Sequence, residues 1–151
     1  MPGFDLTHTV AAPLPAVFAA FTDFENAPKR IPDIIRVEML TPGPVGVGTA
    51  FKETRKMFGK ECTETMTVTA FEPGKLVELS AAACGMEFST RFTFAADGGK
   101  TRVDVAVRKR AVTLVAKLFT PLSFLMSGMM KKCIARDVAS VGAAVEAGPA
   151  A

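Results

Sequence analysis

Hydrophobic and polar residues alternate strictly over residues 3–10 (GFDLTHTV), with Phe4, Leu6, His8 and Val10 on one side and Asp5, Thr7 and Thr9 on the other. A period of two is that of a half-buried strand. Ala11, Ala12 and Pro13 break it, and from Pro15 the apolar residues Val17, Phe18, Phe21 and Phe24 recur at helical spacing, with proline acceptable in a first helical turn. Residues 23–31 predict a further helical turn or two, closed by Pro32 because proline disfavours helical geometry in the residue before it. Six more strands are predicted at 34–40, 49–58, 61–71, 76–84, 87–95 and 101–110. They are separated by a Pro- and Gly-rich loop at 41–48 and by turns at Gly59-Lys60, 72–75 and 97–99. Beyond about Ala111 the pattern changes to threes and fours, through Val115, Phe119, Leu122, Met126, Met130, Ile134, Val138, Val141 and Val145, and predicts one long helix.

One strand, two short helices, six strands and a long helix make an α+β chain in which a single sheet has one face to cover and one long helix to cover it. The expected architecture is a helix-grip: a curved antiparallel seven-stranded sheet wrapped around the C-terminal helix. With 151 residues there is room for one core, so residues 1–147 are expected to form a single domain and 148–151 a short flexible tail.

Composition narrows the function. The chain has twelve Phe but no Trp or Tyr, so a cavity lined by its aromatic residues is greasy and carries no ring donor. The net charge of +3 is mild, and the basic residues fall in small groups (Lys29-Arg30, Arg108-Lys109-Arg110, Lys131-Lys132) instead of a stripe, which disfavours nucleic acid as a partner. Cys62, Cys84 and Cys133 are odd in number and widely spaced, the pattern of reduced thiols in a cytoplasmic protein. With His8 as the lone histidine, no metal is expected, and no phosphate- or dinucleotide-binding motif implies a cofactor. The acidic start, with Asp5, does not resemble a signal peptide. Residues 111–130 are apolar enough to consider as a membrane span, but Lys117, Pro121 and Gly128 interrupt them, so no stable span is expected and membrane contact would be transient.

The segment THTVAAPLPAVFAAFTDFENAPKRIPDIIRVEML (residues 7–40) and the Gly46-Val47-Gly48 entry to the third strand resemble the START-like (SRPBCC) superfamily, in particular its polyketide cyclase/dehydrase and lipid-transport branch. The resemblance covers nearly the whole chain. It departs at Lys29-Arg30-Ile31-Pro32, where many relatives place an aromatic before the proline. The matching residues are structural, so the resemblance implies a fold whose members bind, carry or transform small hydrophobic molecules, and does not select one reaction.

Strict alternation places Phe51, Glu53, Arg55 and Met57 inward on one strand, and Cys62, Glu64, Met66, Val68 and Ala70 on the next. Phe88, Thr90, Phe92 and Phe94 follow, then Val103, Val105, Val107 and Lys109. Glu53, Arg55 and Glu64 form the candidate polar cluster, since buried charges need partners; the alternative is that they are solvated near strand ends at the mouth. The expected apolar ligand contacts are Phe18, Phe51, Met66, Phe88 and Phe92 together with Leu122, Leu125, Met126 and Met129, the methionines adapting to irregular shapes. Binding or transport of a lipid-like or aromatic, polyketide-like ligand is favoured over enzymatic activity. One alternative is a cyclase or dehydratase using a cavity Glu or His8 for proton transfer; another is docking of the apolar helix, through Phe119, Phe124 and Leu125, on a membrane or partner. Ligand identity and oligomeric state are left open by these patterns.

Overall fold

The computed structural model describes residues 3–57, 59–83, 86–111 and 120–147. Strand β1 (Gly3–Val10) leads into helix α1 (Leu14–Thr22) and a 3-10 helix at Phe24–Lys29. Strands β2 (Ile34–Met39), β3 (Ala50–Met57), β4 (Lys60–Glu72), β5 (Leu76–Ala83), β6 (Met86–Asp97) and β7 (Lys100–Ala111) follow, and helix α2 (Thr120–Glu146) ends the described chain. Every strand lies within a residue or two of its expected bounds. The long helix was expected from about Ala111, but Ala111 is the last residue of β7, where it pairs with Met86. Val115, Phe119, Cys84, Phe58 and the tail at 148–151 lie outside the described residues.

All seven strands form one antiparallel sheet in the order β1-β7-β6-β5-β4-β3-β2. The β6–β7 hairpin turns on Gly98 and Gly99, at φ 57° and 87°, since a two-residue turn matching strand twist needs left-handed geometry at both central positions.

The curvature follows from what α2 touches. Its Gly142 packs on His8 and Val10 of β1, while its Asp137 bonds Arg55 of β3. β1 and β3 are five steps apart in the sheet, about 24 Å at the usual strand spacing. A helix is only about 10–12 Å across, so the sheet must wrap around α2 for one helix to meet both strands.

Alternation places Val10, Val103, Val105 and Val107, at 0–1 % exposure, in the centre of the inward face. Each such buried side chain contributes about 1.5–3 kcal/mol. One end of the grip is closed by α1 and the 3-10 helix: Phe18 meets the rings of Phe71 and Phe94 at 5.6 and 5.1 Å, and Phe24 stacks on Phe51 at 4.6 Å. Asp23 holds this corner through Arg30 at 3.2 Å and Asn26 at 3.0 Å. The far end of α2 is tied down by Glu146, whose carboxylate accepts the Ala11 N–H at 2.8 Å.

Alternation fails in one place on β4. A register shift between Val68 and Ala70 lets an extra residue through, so Phe71, opposite Val77, faces inward to meet Phe18 instead of the expected Ala70.

Candidate functional site

Toward the end of the grip remote from α1, β3 carries Glu53 and Arg55 two residues apart on the inward face. Arg55 Nε donates to Glu53 Oε2 at 3.3 Å, and Arg55 Nη2 donates to Asp137 Oδ2 at 2.9 Å. Arg55 Nη1 also reaches Cys133 Sγ at 3.4 Å. Cys133 and Asp137 are one helical turn apart, which puts both on the face of α2 that looks at β3. The side chains of Glu53, Arg55 and Asp137 are 11, 15 and 15 % exposed, so this is a buried network and not a solvated strand end.

Glu64, expected as the second acid, lies directly opposite Glu53 across the β3–β4 pair but makes no ion pair with Arg55 among the described residues. Asp137 takes that position. Alternation along a strand finds neighbours within the sheet; it carries no information on which helical residue arrives above them.

Two buried acids share one guanidinium, and the electrostatics follow. Burial pushes the Glu53 carboxyl above its ordinary value, and the adjacent Arg55 offsets this only in part. Asp137 is raised for the same reason, with the same partial offset. Burial alone would lower Arg55, but the Glu53 and Asp137 carboxylates outweigh it and hold the guanidinium pKa above its ordinary value. Asp137 Oδ1 is buried and accepts no hydrogen bond among the described residues.

The remaining predicted residues separate into two groups. Phe18 and Phe51 are 9 and 1 % exposed and belong to the packed core beside the short helices. Met66, Phe88 and Phe92 face inward and are half-buried, as is Leu79, a residue not among the expected contacts. The side chains of Leu122, Leu125, Met126, Met129, Phe124 and Met57 lie outside the described residues. Cys62, inward by alternation opposite Arg55, is exposed near the start of β4, and its thiol and that of Cys133 are free. His8 is half-buried against Gly142. Lys109 is 6 % exposed on the inward face of β7, and desolvation holds its ammonium pKa below the ordinary lysine value.

A concavity of about 630 Å³ opens between the 3-10 helix and the loop after β2, lined by Phe24, Met39, Pro44, Val45 and Phe71 with Asp23 and Glu25. No group of three or more His, Cys, Asp or Glu able to hold a metal ion forms among the described residues. No helix among them is long and apolar enough to cross a membrane.

This architecture recurs in solved structures. The Zhui aromatase/cyclase from a Streptomyces strain superposes with a TM-score of 0.76 at 17% identity, over 97% of this chain and 98% of that one. Ara h 8.0201 gives 0.68 at 19% identity, over 96% and 97%. A START superfamily protein from Mycobacterium smegmatis gives 0.65 at 17% identity, over 95% and 94%. At these identities the likeness is one of fold. No protein of curated function matches the sequence significantly. The sequence model of the family described as polyketide cyclase / dehydrase and lipid transport matches residues 1–146. With strand order, curvature and matched length in agreement, the chain belongs to the polyketide cyclase/dehydrase and lipid-transport family.

Proposed function

We infer that this protein binds a small, predominantly apolar molecule between the inward face of the sheet and α2, as a carrier or binding protein. One observation carries this reading. Met66, Leu79, Phe88 and Phe92 point to the side that α2 covers, yet all four remain partly accessible, while Val103, Val105 and Val107 on the same face are 0–1 % exposed. A sheet face fully packed by its helix would bury both sets alike. Apolar surface that is covered but still accessible is how a ligand pocket with few polar groups is built. The apolar segment containing Leu122, Leu125, Met126 and Met129 supplies the opposite wall in this reading, and Phe18 and Phe51 support the lining from behind.

The polar end lies at Glu53, Arg55 and Asp137, with Glu64 beside them. Because Arg55 is already shared by two carboxylates, the unused capacity there is an acceptor, Asp137 Oδ1. A ligand hydroxyl donating to that oxygen would remove the cost of an unsatisfied buried polar atom, about 1–3 kcal/mol. The reduced thiols of Cys62 and Cys133 fit a cytoplasmic setting.

The test is mass spectrometry of protein purified natively from its own host, together with titration of the recombinant protein with the neutral apolar probe N-phenylnaphthylamine. A retained apolar compound near one per chain, or saturable probe binding at one site, is expected. Absence of both overturns the reading.

A second reading, proton transfer in a cyclase or dehydratase, is favoured by the raised Glu53 and Asp137, since carboxyls held protonated nearer to neutrality serve as general acids. It predicts that Glu53→Gln keeps ligand affinity but abolishes turnover of a poly-β-keto substrate. Unchanged turnover would remove it.

A further inference from the structure

The concavity between the 3-10 helix and the loop after β2 has two aromatic walls, Phe24 and Phe71. Each ring rests on another: Phe24 on Phe51 at 4.6 Å and Phe71 on Phe18 at 5.6 Å. Phe51 and Phe18 are 1 and 9 % exposed, so both walls are backed by packed core and fixed in place. Phe71 reaches its position through the register shift on β4, and bulges that re-aim a side chain are over-represented beside active sites. The facing wall is the loop at 41–45, which is pinned at both ends. The Ala50 N–H donates to Thr41 Oγ1 at 3.1 Å, the Gly46 N–H to Thr49 Oγ1 at 3.0 Å, and the Gly48 N–H to the Val68 carbonyl, at the bulge, at 2.9 Å. A preformed space of about 630 Å³ with mostly apolar walls has the size and character of a small-molecule site.

Its charge is one-sided. Among the described residues, two carboxylates line the space and no basic side chain does. Asp23 is matched, since Arg30 donates to it at 3.2 Å and Asn26 at 3.0 Å. Glu25 is exposed on the 3-10 helix and has no ion-pair partner among the described residues. The lining thus carries one surplus negative charge close to two Phe rings, whose faces are themselves electronegative. An anion is repelled there, a neutral molecule gains apolar contact alone, and an organic cation gains from the acid, the rings and the apolar walls together. A bare metal ion would find too few oxygens to replace its water, and no group able to hold one forms among the described residues.

We propose that this concavity is a binding site for a small organic cation, a substituted ammonium whose charge is held by Glu25 and the rings of Phe24 and Phe71 and whose apolar part lies against Met39 and Val45. The site is separate from the ligand reading above, since none of Met66, Leu79, Phe88 and Phe92 lines it. A substituted ammonium suits it because its alkyl groups meet the apolar walls while its diffuse charge needs no directed hydrogen bond, which is how aromatic walls recognise such groups.

The experiment titrates nitrogen-15-labelled protein with benzyltriethylammonium, the neutral N,N-diethylbenzamide and the anion benzenesulfonate, following backbone amide shifts by NMR. The ammonium is expected to shift the amides of residues 23–25, 39, 41, 43 and 45 saturably, with a Kd about fivefold below that of the amide, as one cation–aromatic contact and one screened charge supply. Benzenesulfonate is expected to leave these signals unmoved. Glu25 is exposed, so its substitution leaves the fold intact, and Glu25→Lys is expected to bind the ammonium no better than the amide. A Glu25→Lys protein that keeps the wild-type preference overturns the proposal, as does equal binding of ammonium and amide by wild type. Shifts confined to Met66, Leu79 and Phe88 would place the probes on the inward face of the sheet and overturn this site while supporting the other. No saturable shift at residues 23–25 and 41–45 with any of the three compounds overturns it as well.

Discussion

Arg55 on β3 donates to Asp137 on α2 at 2.9 Å, joining residues 82 positions apart in the chain and fastening the helix to the far side of the sheet. Breaking a buried pair by removing one partner leaves an uncompensated charge, so Arg55→Met is expected to cost about 3–5 kcal/mol at neutral pH. Urea denaturation at pH 7 measures this. A loss below about 1 kcal/mol would mean that the network is solvated in solution.

The same network sets a pH dependence. Glu53 and Asp137 have folded-state pKa values above their ordinary 4.5 and 3.8, so the folded protein holds these protons more tightly than the unfolded chain. Their contribution to stability therefore falls as pH rises from those ordinary values through the raised ones, and is constant above. Glu53→Gln is expected to flatten the part of this fall that begins at the ordinary 4.5 of Glu53, while Arg55 keeps Asp137 as its partner. Denaturation midpoints across that range test it, and an unchanged slope would show that Glu53 is not the group responsible.

Phe51 and Phe88 share a face of the sheet but differ in burial. Phe51, at 1 % exposure and stacked on Phe24, is expected to cost about 3–5 kcal/mol on replacement by Ala. The half-buried Phe88 should cost about half as much. For probe binding the order reverses: Phe88→Ala should weaken N-phenylnaphthylamine about fivefold, the equivalent of roughly 1 kcal/mol of lost apolar contact. Folded Phe51→Ala should bind it nearly as wild type does. Equal effects of both substitutions on binding would contradict the division into core and lining.

Gly142 of α2 packs against β1. A Cβ there would lie 3.1 Å from Val10 Cγ2 and 3.2 Å from His8 Nε2. Alanine is favoured over glycine in a helix by about 1 kcal/mol, which offsets the crowding if His8 yields by a few tenths of an ångström. Gly142→Ala is thus expected to stay within about 1 kcal/mol of wild type. Gly142→Leu overpacks and should lose about 1–3 kcal/mol in the same urea assay. A Leu variant as stable as wild type would mean that α2 sits further from the sheet.

Much of the architecture was legible because it depends on short-range pattern. The alternation in residues 3–10 and 101–110, broken by Pro13 and by the Gly98-Gly99 turn, specifies strands and their inward faces from adjacent residues alone. It failed at Ala70 because a bulge inserts a residue without changing composition, and only the partner strand reveals the shift that turns Phe71 inward. It was short at Ala111 because apolar residues near a strand-to-helix junction fit both periods. For the site, Glu53 and Arg55 stood out as charges among inward positions. Asp137 did not, since an acid among the polar residues of a helix reads as a solvated face.

The order of local patterns, one strand, two short helices, six strands and a long helix, determined by itself that one sheet must close on one helix with an interior of Phe, Val and Met. Two strands that pair through neighbouring turns can be inferred from the turns. What only the tertiary structure decided is which groups meet across the grip: Arg55 with Asp137 and Cys133, His8 with Gly142, Phe18 with Phe71. Those meetings depend on the curvature of the sheet and the rotation of α2 about its axis. Both are set by the packing of many side chains at once, and no local window of the sequence contains that sum.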